Sequence, residues 1–196
     1  MPKSLPTDAE RLRALFAGAA PHPPAAEERY RPYASLFPLV ERKGALHVLL
    51  AQKKISPGYI WSGQIGMVGG GVEDTDRDDL SAAFREWEEE TALPPAALDT
   101  LGDLGWYPSA LADATLHVFT ALWDGAGDPV PDPREIARLI EAPVEALLRT
   151  HDERGYAGVS GESLGEKLVY PVEEGVIWGV TARATHAFLE RIRGGS

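Results

Sequence analysis

One stretch constrains this chain more than any other: GGGVEDTDRDDLSAAFREWEEETAL, residues 69–93. Consecutive glycines permit a turn that side chains would obstruct. Beyond the acidic connector the pattern becomes helical. On a helix turning about 100° per residue, Leu80, Phe84, Trp87 and Thr91 fall on one narrow stripe, which predicts the buried face. Glu86, Glu89 and Glu90 fall roughly opposite, within an arc of about 100°. The spacing predicts a helix from about Asp79 to about Ala92, ended by Pro94 and Pro95. Strand-like runs lie on both sides of it: ASLFPLVER and ALHVLLAQKK with a turn at Lys43 and Gly44, the short run QIGMV before the glycines, then DTLGDLGWYP and ATLHVFTALWD. REIARLIEAPVEALLRT mixes a strand or short helix with a second helix, KLVYPV reads as a strand, and IWGVTARATHAFLERI closes the chain as a helix. This order predicts an α/β fold, a mixed sheet with helices packed on its faces.

Carboxylates at i, i+3 and i+4 repel, at a cost of a few tenths of a kcal/mol per pair. Hard divalent cations such as Mg2+ or Mn2+ prefer clustered carboxylate oxygens and bridge to phosphates, and Arg85 could pair with one carboxylate and hold it in place. By itself a glutamate-rich helix face is ordinarily just solvated, and a glycine turn is ordinarily just tight. No Gly-Lys-Ser/Thr follows the glycines, so the P-loop phosphate cradle is excluded.

Composition narrows the remaining classes. The chain has 196 residues, enough for one domain with its own core. It has no cysteine, which removes disulfides, thiolate zinc sites and cysteine nucleophiles and suits a cytoplasmic location. A net charge of -11 argues against a nucleic-acid partner, and a phosphorylated substrate would then need cations beside it. No apolar run approaches membrane-spanning length. Thr7 to Gly18 reads as a short amphipathic helix with Thr7 as N-cap and Glu10 completing a capping box, and Leu12, Leu15 and Phe16 on one face. The proline-bearing stretch 19–32 reads as a linker or arm. The expected organisation is therefore a helix and arm over 1–33 and a main domain over 34–196, with homodimerisation through the arm left open.

Taken together, the glycine turn, the acidic connector and REWEEETAL resemble the Nudix box, G-x5-E-x7-R-E-U-x-E-E-x-G-U, where U is apolar. Arg85, Glu86, Trp87, Glu89, Glu90 and Leu93 match its second half, and Gly70 matches its start. The resemblance implies the α/β/α sandwich of that family, with a catalytic helix after the glycine loop. It also implies Mg2+- or Mn2+-dependent cleavage of a diphosphate linkage in a small nucleotide-like substrate. Glu86, Glu89 and Glu90 are then the implied metal ligands, Arg85 orients them, and Gly70 and Gly71 let the backbone approach the substrate. Counted from Gly70, Asp76 stands at the pattern's Glu and eight residues precede Arg85; counted from Gly71, Arg77 stands there. Ala92 replaces the last Gly.

The longer connector, SGQIGMVGGG before the box and IWGVTAR near the end are similar to the coenzyme A diphosphatase branch of the family. That branch usually carries arginines where this chain has Lys53 and Lys54, and a proline at Val68. Lys53, Tyr59 and Trp61 are expected to touch substrate; these two rings, like Trp106 and Tyr107, lie on or near predicted loops where they could stack on a base, although ordinary packing explains such rings as well. Glu135 in PREIARL matches a Glu often found ahead of a late strand in this family, and the resemblance makes it the candidate general base; a solvated helix-cap carboxylate explains it equally well, and Glu162 is a weaker candidate. His22, His47, His117, His151 and His186 show no metal spacing, and Ser160 lies outside any nucleophile elbow. Two other readings stay open: a nucleoside triphosphate or dinucleoside polyphosphate hydrolase, and a catalytically silent nucleotide-binding module.

Overall fold

The computed structural model describes residues 5, 8–16, 31–109 and 113–194. At its centre lie β1 (Arg31–Arg42) and β2 (Ala45–Lys53), antiparallel strands joined by a tight turn. The turn residues Lys43 and Gly44 both have positive φ, 53° and 81°, the twist that suits a two-residue hairpin. Residues 34–40 of β1 are buried without interruption, because both faces of the sheet are covered. Phe37 and Leu39 enter one core with Leu46, Val48 and Leu50 of β2, while Ala34, Leu36 and Val40 enter the other with Leu49 and Ala51.

The two strands pair with each other only near their turn, Leu39–Arg42 against Ala45–Val48. Farther along they part, and a kinked segment is wedged between them. Its first half, β3 (Ile65–Gly66), pairs with β2; its second, β4 (Val68–Gly71), pairs with β1. On the outer edge of β1 runs β6 (Ala114–Trp123), parallel to it, followed by antiparallel β5 (Leu98–Pro108). The far edge of β2 carries antiparallel β7 (Ile136–Pro143). The sheet is therefore mixed.

On one face lies α2 (Asp79–Thr91), which packs Ala82, Ala83 and Trp87 against Leu36, Val68 and Trp123. The other face is covered by α1 (Ala9–Ala14), α3 (Val144–Glu153) and α5 (Gly179–Gly194), which contribute Leu12, Leu147 and Phe188. A short α4 (Gly161–Leu164) packs on α5. A small separate hairpin is formed by β8 (Tyr170–Val172) and β9 (Gly175–Ile177). This is the expected α/β/α sandwich. No helix among the described residues is long and apolar enough to cross a membrane.

The structure departs from the sequence expectations at several points. The cap of α1 is Asp8, whose side chain accepts from Arg11 N at 2.9 Å; Thr7 lies outside the described residues. So do residues 17–30 of the expected helix end and proline arm, while Arg31 and Pro32 already belong to β1. QIGMV is divided at Met67 between two partners rather than forming one strand. The stop of α2 is set by Ala92 in the left-handed conformation, φ 57°, ahead of the prolines. Thr91 Oγ1 helps there, donating to Trp87 O and accepting from Leu93 N. The buried face of α2 is also rotated from the expected stripe: Leu80 and Phe84 are half-buried, and Glu90 is buried.

Candidate functional site

The wedge of β3 and β4 sets the site. It brings the glycine run across the face of α2 that bears Glu86 and Glu90. Glu90 Oε2 accepts from Gly69 N at 3.2 Å. The Glu86 carboxylate lies so close to Gly70 that a Cβ there would overlap it. Gly69 is equally constrained, since its Cβ would overlap Ala34 O and Ser35. The first glycines are thus needed for close approach, one to β1 and one to the carboxylate. Gly71 has open space at its Cβ position and contributes its carbonyl, which accepts from Arg85 Nη2 at 2.9 Å.

Arg85 is the hub. Its Nη1 donates to Glu86 at 2.7 Å and reaches Glu89 at 3.4 Å, while Nε and Nη2 each donate to Asp76 at 3.1 Å. Asp76 also accepts from Glu73 N at 2.8 Å, and its side chain is only 6% exposed. The Arg85 guanidinium and that amide hold the Asp76 carboxyl below the usual carboxylate range. The same bonds, with Glu86, push the Arg85 pKa up against the effect of burial.

The three glutamates are not equivalent. Glu89 is exposed, Glu86 is largely covered and Glu90 is buried. Burial raises the Glu86 and Glu90 pKa values, opposed by Arg85 and by Lys53 respectively. Lys53, at the end of β2, forms an ion pair with Glu90. Burial would lower its pKa, but the Glu90 carboxylate, helped by Glu135, raises it.

Glu135 is carried to the site by the segment before β7. That segment is tied to the end of α2 by Val130 N to Thr91 O (2.8 Å) and Asp132 N to Glu90 O (3.2 Å). Lys54 N to Glu135 O (2.8 Å) fixes the residue itself, and Glu135 Oε2 lies 3.6 Å from Lys53 Nζ. Tyr59 feels the charges of Lys53, Glu90 and Glu135, and burial raises its pKa. It meets Trp61 edge-on, and Trp61 meets Tyr33 in the same way, both at 5.7 Å between centroids. These rings and Arg31 line a cleft of about 440 Å³.

Other candidates lie elsewhere. Glu162 and Ser160 sit at α4, which packs on α5 across the sheet from α2. Tyr107 belongs to the core on that face, its hydroxyl donating to Leu104 O, and burial pushes its pKa up to about 12. Trp106 stacks on His117 at 3.9 Å, so it serves packing. Sequence reasoning noted Asp76 only as a departure and did not anticipate its hold on Arg85. Its place at the pattern's Glu was the available signal.

Among the described residues no three His, Asp or Glu side chains converge closely enough to hold an ion as they stand. The donors nevertheless suit a hard divalent cation. They are carboxylate oxygens on adjoining turns of one helix, with Glu86 in a glycine cradle that excludes any side chain.

The family model described as NUDIX domain matches residues 29–159. The chain belongs to the Nudix family. Among curated Nudix proteins, Nudix hydrolase 22, chloroplastic, of Arabidopsis thaliana is 35% identical over 148 residues, 71% of this chain and 48% of its own length. Nudix hydrolase 15, mitochondrial, of the same plant is 31% identical over 147 residues, again 71% of this chain and 50% of its own. The chain thus spans about half the length of these curated relatives. Among solved Nudix structures, the Ap4A hydrolase binary complex of C. elegans aligns over 64% of this chain and 90% of its own, with TM-score 0.50 and 20% identity. The NUDIX domain of Shewanella oneidensis NrtR complexed with ADP ribose aligns over 65% and 82%, with TM-score 0.50 and 19% identity. At such identities these two establish the Nudix fold alone.

Proposed function

We propose that this Nudix chain is a Mg2+- or Mn2+-dependent hydrolase that cleaves a diphosphate linkage in a small nucleotide-like substrate. The observation that carries the reading is the cradle itself: Arg85 and Gly70 hold the Glu86 carboxylate against the glycine loop, one turn from Glu90. Glu86, Glu89 and Glu90 would hold the cation. When bound, it would neutralise the diphosphate, polarise phosphorus and ease deprotonation of the attacking water. Arg85 keeps Glu86 oriented, and Asp76 keeps Arg85 in place. Gly70 leaves room for the carboxylate, and the bare Gly71 leaves room for substrate. Glu135, 61% exposed beside Lys53, would take the proton from water. Tyr59 and Trp61, with Tyr33, offer ring surfaces for a base.

The narrower reading, coenzyme A or a derivative, rests on the motif resemblance before and after the box. A nucleoside triphosphate or dinucleoside polyphosphate is supported by the three-ring cleft and by Lys53, which is engaged with Glu90 rather than free to grip phosphate. That ion pair also supports a catalytically silent nucleotide-binding module. A cytoplasmic location belongs to the same proposal.

The test is a hydrolysis screen with Mg2+ and Mn2+ over coenzyme A, ADP-ribose, NADH, diadenosine polyphosphates and nucleoside triphosphates, with products identified by mass. Release of a phosphopantetheine would support the coenzyme A reading. Cleavage confined to nucleoside polyphosphates would discard it and keep the chemistry. Tight binding with no turnover on any substrate would establish the silent module instead.

A further inference from the structure

We infer that Lys53 is a displaceable counter-cation of the carboxylate cluster, whose ammonium competes with a divalent cation for Glu90. The inference rests on the metal-dependent reading above and gives Lys53, expected from the sequence to touch substrate, a role at the cation site.

Geometry carries it. Arg85 is fully committed to Asp76, Glu86, Glu89 and Gly71 O, which leaves Glu90 to another cation. That cation is Lys53: the paired side chains are only 12% and 4% exposed. An unpaired carboxylate at such depth would be costly. Glu135 Oε2 lies on the same ammonium at 3.6 Å, so Lys53 Nζ bridges two carboxylates, as a divalent ion would. The backbone is shaped for this. The pairing of β2 with β7 is irregular between Gln52 and Lys53, and such bulges re-aim a side chain. Lys53 N is meanwhile anchored to Gln64 O at 2.9 Å, so the backbone stays while the stem can turn. A lysine binds as a point charge on a flexible stem and lets go more readily than a bidentate arginine. Two cations cannot share Glu90 without repulsion. Entry of a divalent ion therefore expels the ammonium towards the cleft where Tyr59 stands and a substrate phosphate would arrive.

The experiment is a Mn2+ titration of the full chain, reading free ion by electron paramagnetic resonance, for wild type, Lys53→Gln and Lys53→Arg. Lys53→Gln is expected to bind Mn2+ about tenfold or more tightly, the scale of removing a unit charge a few ångströms away in a partly screened site. Lys53→Arg, which keeps the charge, is expected to stay near or below wild-type affinity. In parallel, wild type is pulse-labelled with acetic anhydride and Lys53 modification is read by mass spectrometry. Labelling is expected to be low alone and to rise severalfold with Mn2+. Equal or weaker binding by Lys53→Gln overturns the inference while the metal-dependent reading stands. Binding by none of the three proteins overturns both. Should the glutamine variant fail to fold, the labelling decides: protection of Lys53 unchanged by Mn2+ at concentrations where wild type binds it refutes displacement.

Discussion

Glu90 is the residue on which the site depends most. Its carboxylate is shared between Lys53 and the Gly69 amide. Glu90→Gln keeps the shape and removes the charge, and turnover should fall by about 100-fold or more, a loss typical of removing one key electrostatic group. Circular dichroism should show the fold retained; wild-type activity in this variant would remove Glu90 from the proposed metal site. Ala92 makes the opposite kind of prediction. It caps α2 at φ 57°, a conformation that penalises any Cβ. Ala92→Gly relieves that penalty, so denaturant unfolding should show a gain of about 0.5–1 kcal/mol. An unchanged midpoint would mean that the added chain entropy of glycine cancels the relief.

At the scale of elements, α2 has to be held firmly because it carries the carboxylates. Its start is fixed twice. Asp78 and Ser81 form a reciprocal cap, and Asp79 accepts from His117 of β6 at 2.8 Å while Asp103 of β5 takes the other ring nitrogen at the same distance. Burial opposes charge on His117, but the two carboxylates outweigh it and raise its pKa. A raised folded pKa gives stability that is fully present below the unfolded value, near about 6.5, and lost as pH rises through the folded one. Melting temperature should therefore decline by a few degrees as pH climbs from about 6 to 9. His117→Gln should flatten that decline, and a variant melting in parallel with wild type at every pH would refute the account. The clamp was not legible in the sequence: His117 and its partners are 38 and 14 residues apart, and only the pairing of β5 with β6 and the packing of α2 bring them together.

On the scale of the whole molecule, α1 belongs to the main core. Leu12 is fully buried there, and Arg13 pairs with Asp99 of β5 at 2.6 Å. Leu12→Ala should cost about 2–5 kcal/mol, the range for a truncated core leucine, read by chemical denaturation. A cost under about 0.5 kcal/mol would show that the helix docks only loosely. A second whole-molecule prediction concerns the cation. Excess EDTA should abolish hydrolysis, and Mg2+ or Mn2+ should restore it, measured on whichever substrate the screen identifies. Full activity in the chelator would defeat the proposed mechanism.

The sequence alone was enough for α2, the glycine turn, most strands and the α/β class. These depend on local periodicity and on residues such as Gly70 whose chemistry is visible one at a time. The Arg85-Glu86 pair was legible for the same reason, since both stand within one helical turn. Tertiary structure decided how far the buried face of α2 extends: Trp87 and Thr91 of the expected stripe are buried, but Leu80 and Phe84 are only half-buried and Glu90 is buried as well. Turned only by periodicity, Glu90 faces solvent with its neighbours; the wedge of β3 and β4 between β1 and β2 covers it and supplies Gly69 N. Only the folded chain brings Lys53 and Glu135 to that carboxylate, across 37 and 45 positions of sequence, because a strand bulge and a loop tied to the end of α2 meet there. Local patterns determine elements because backbone preferences act over a few residues. Which charges share one site is decided by how the strands pair.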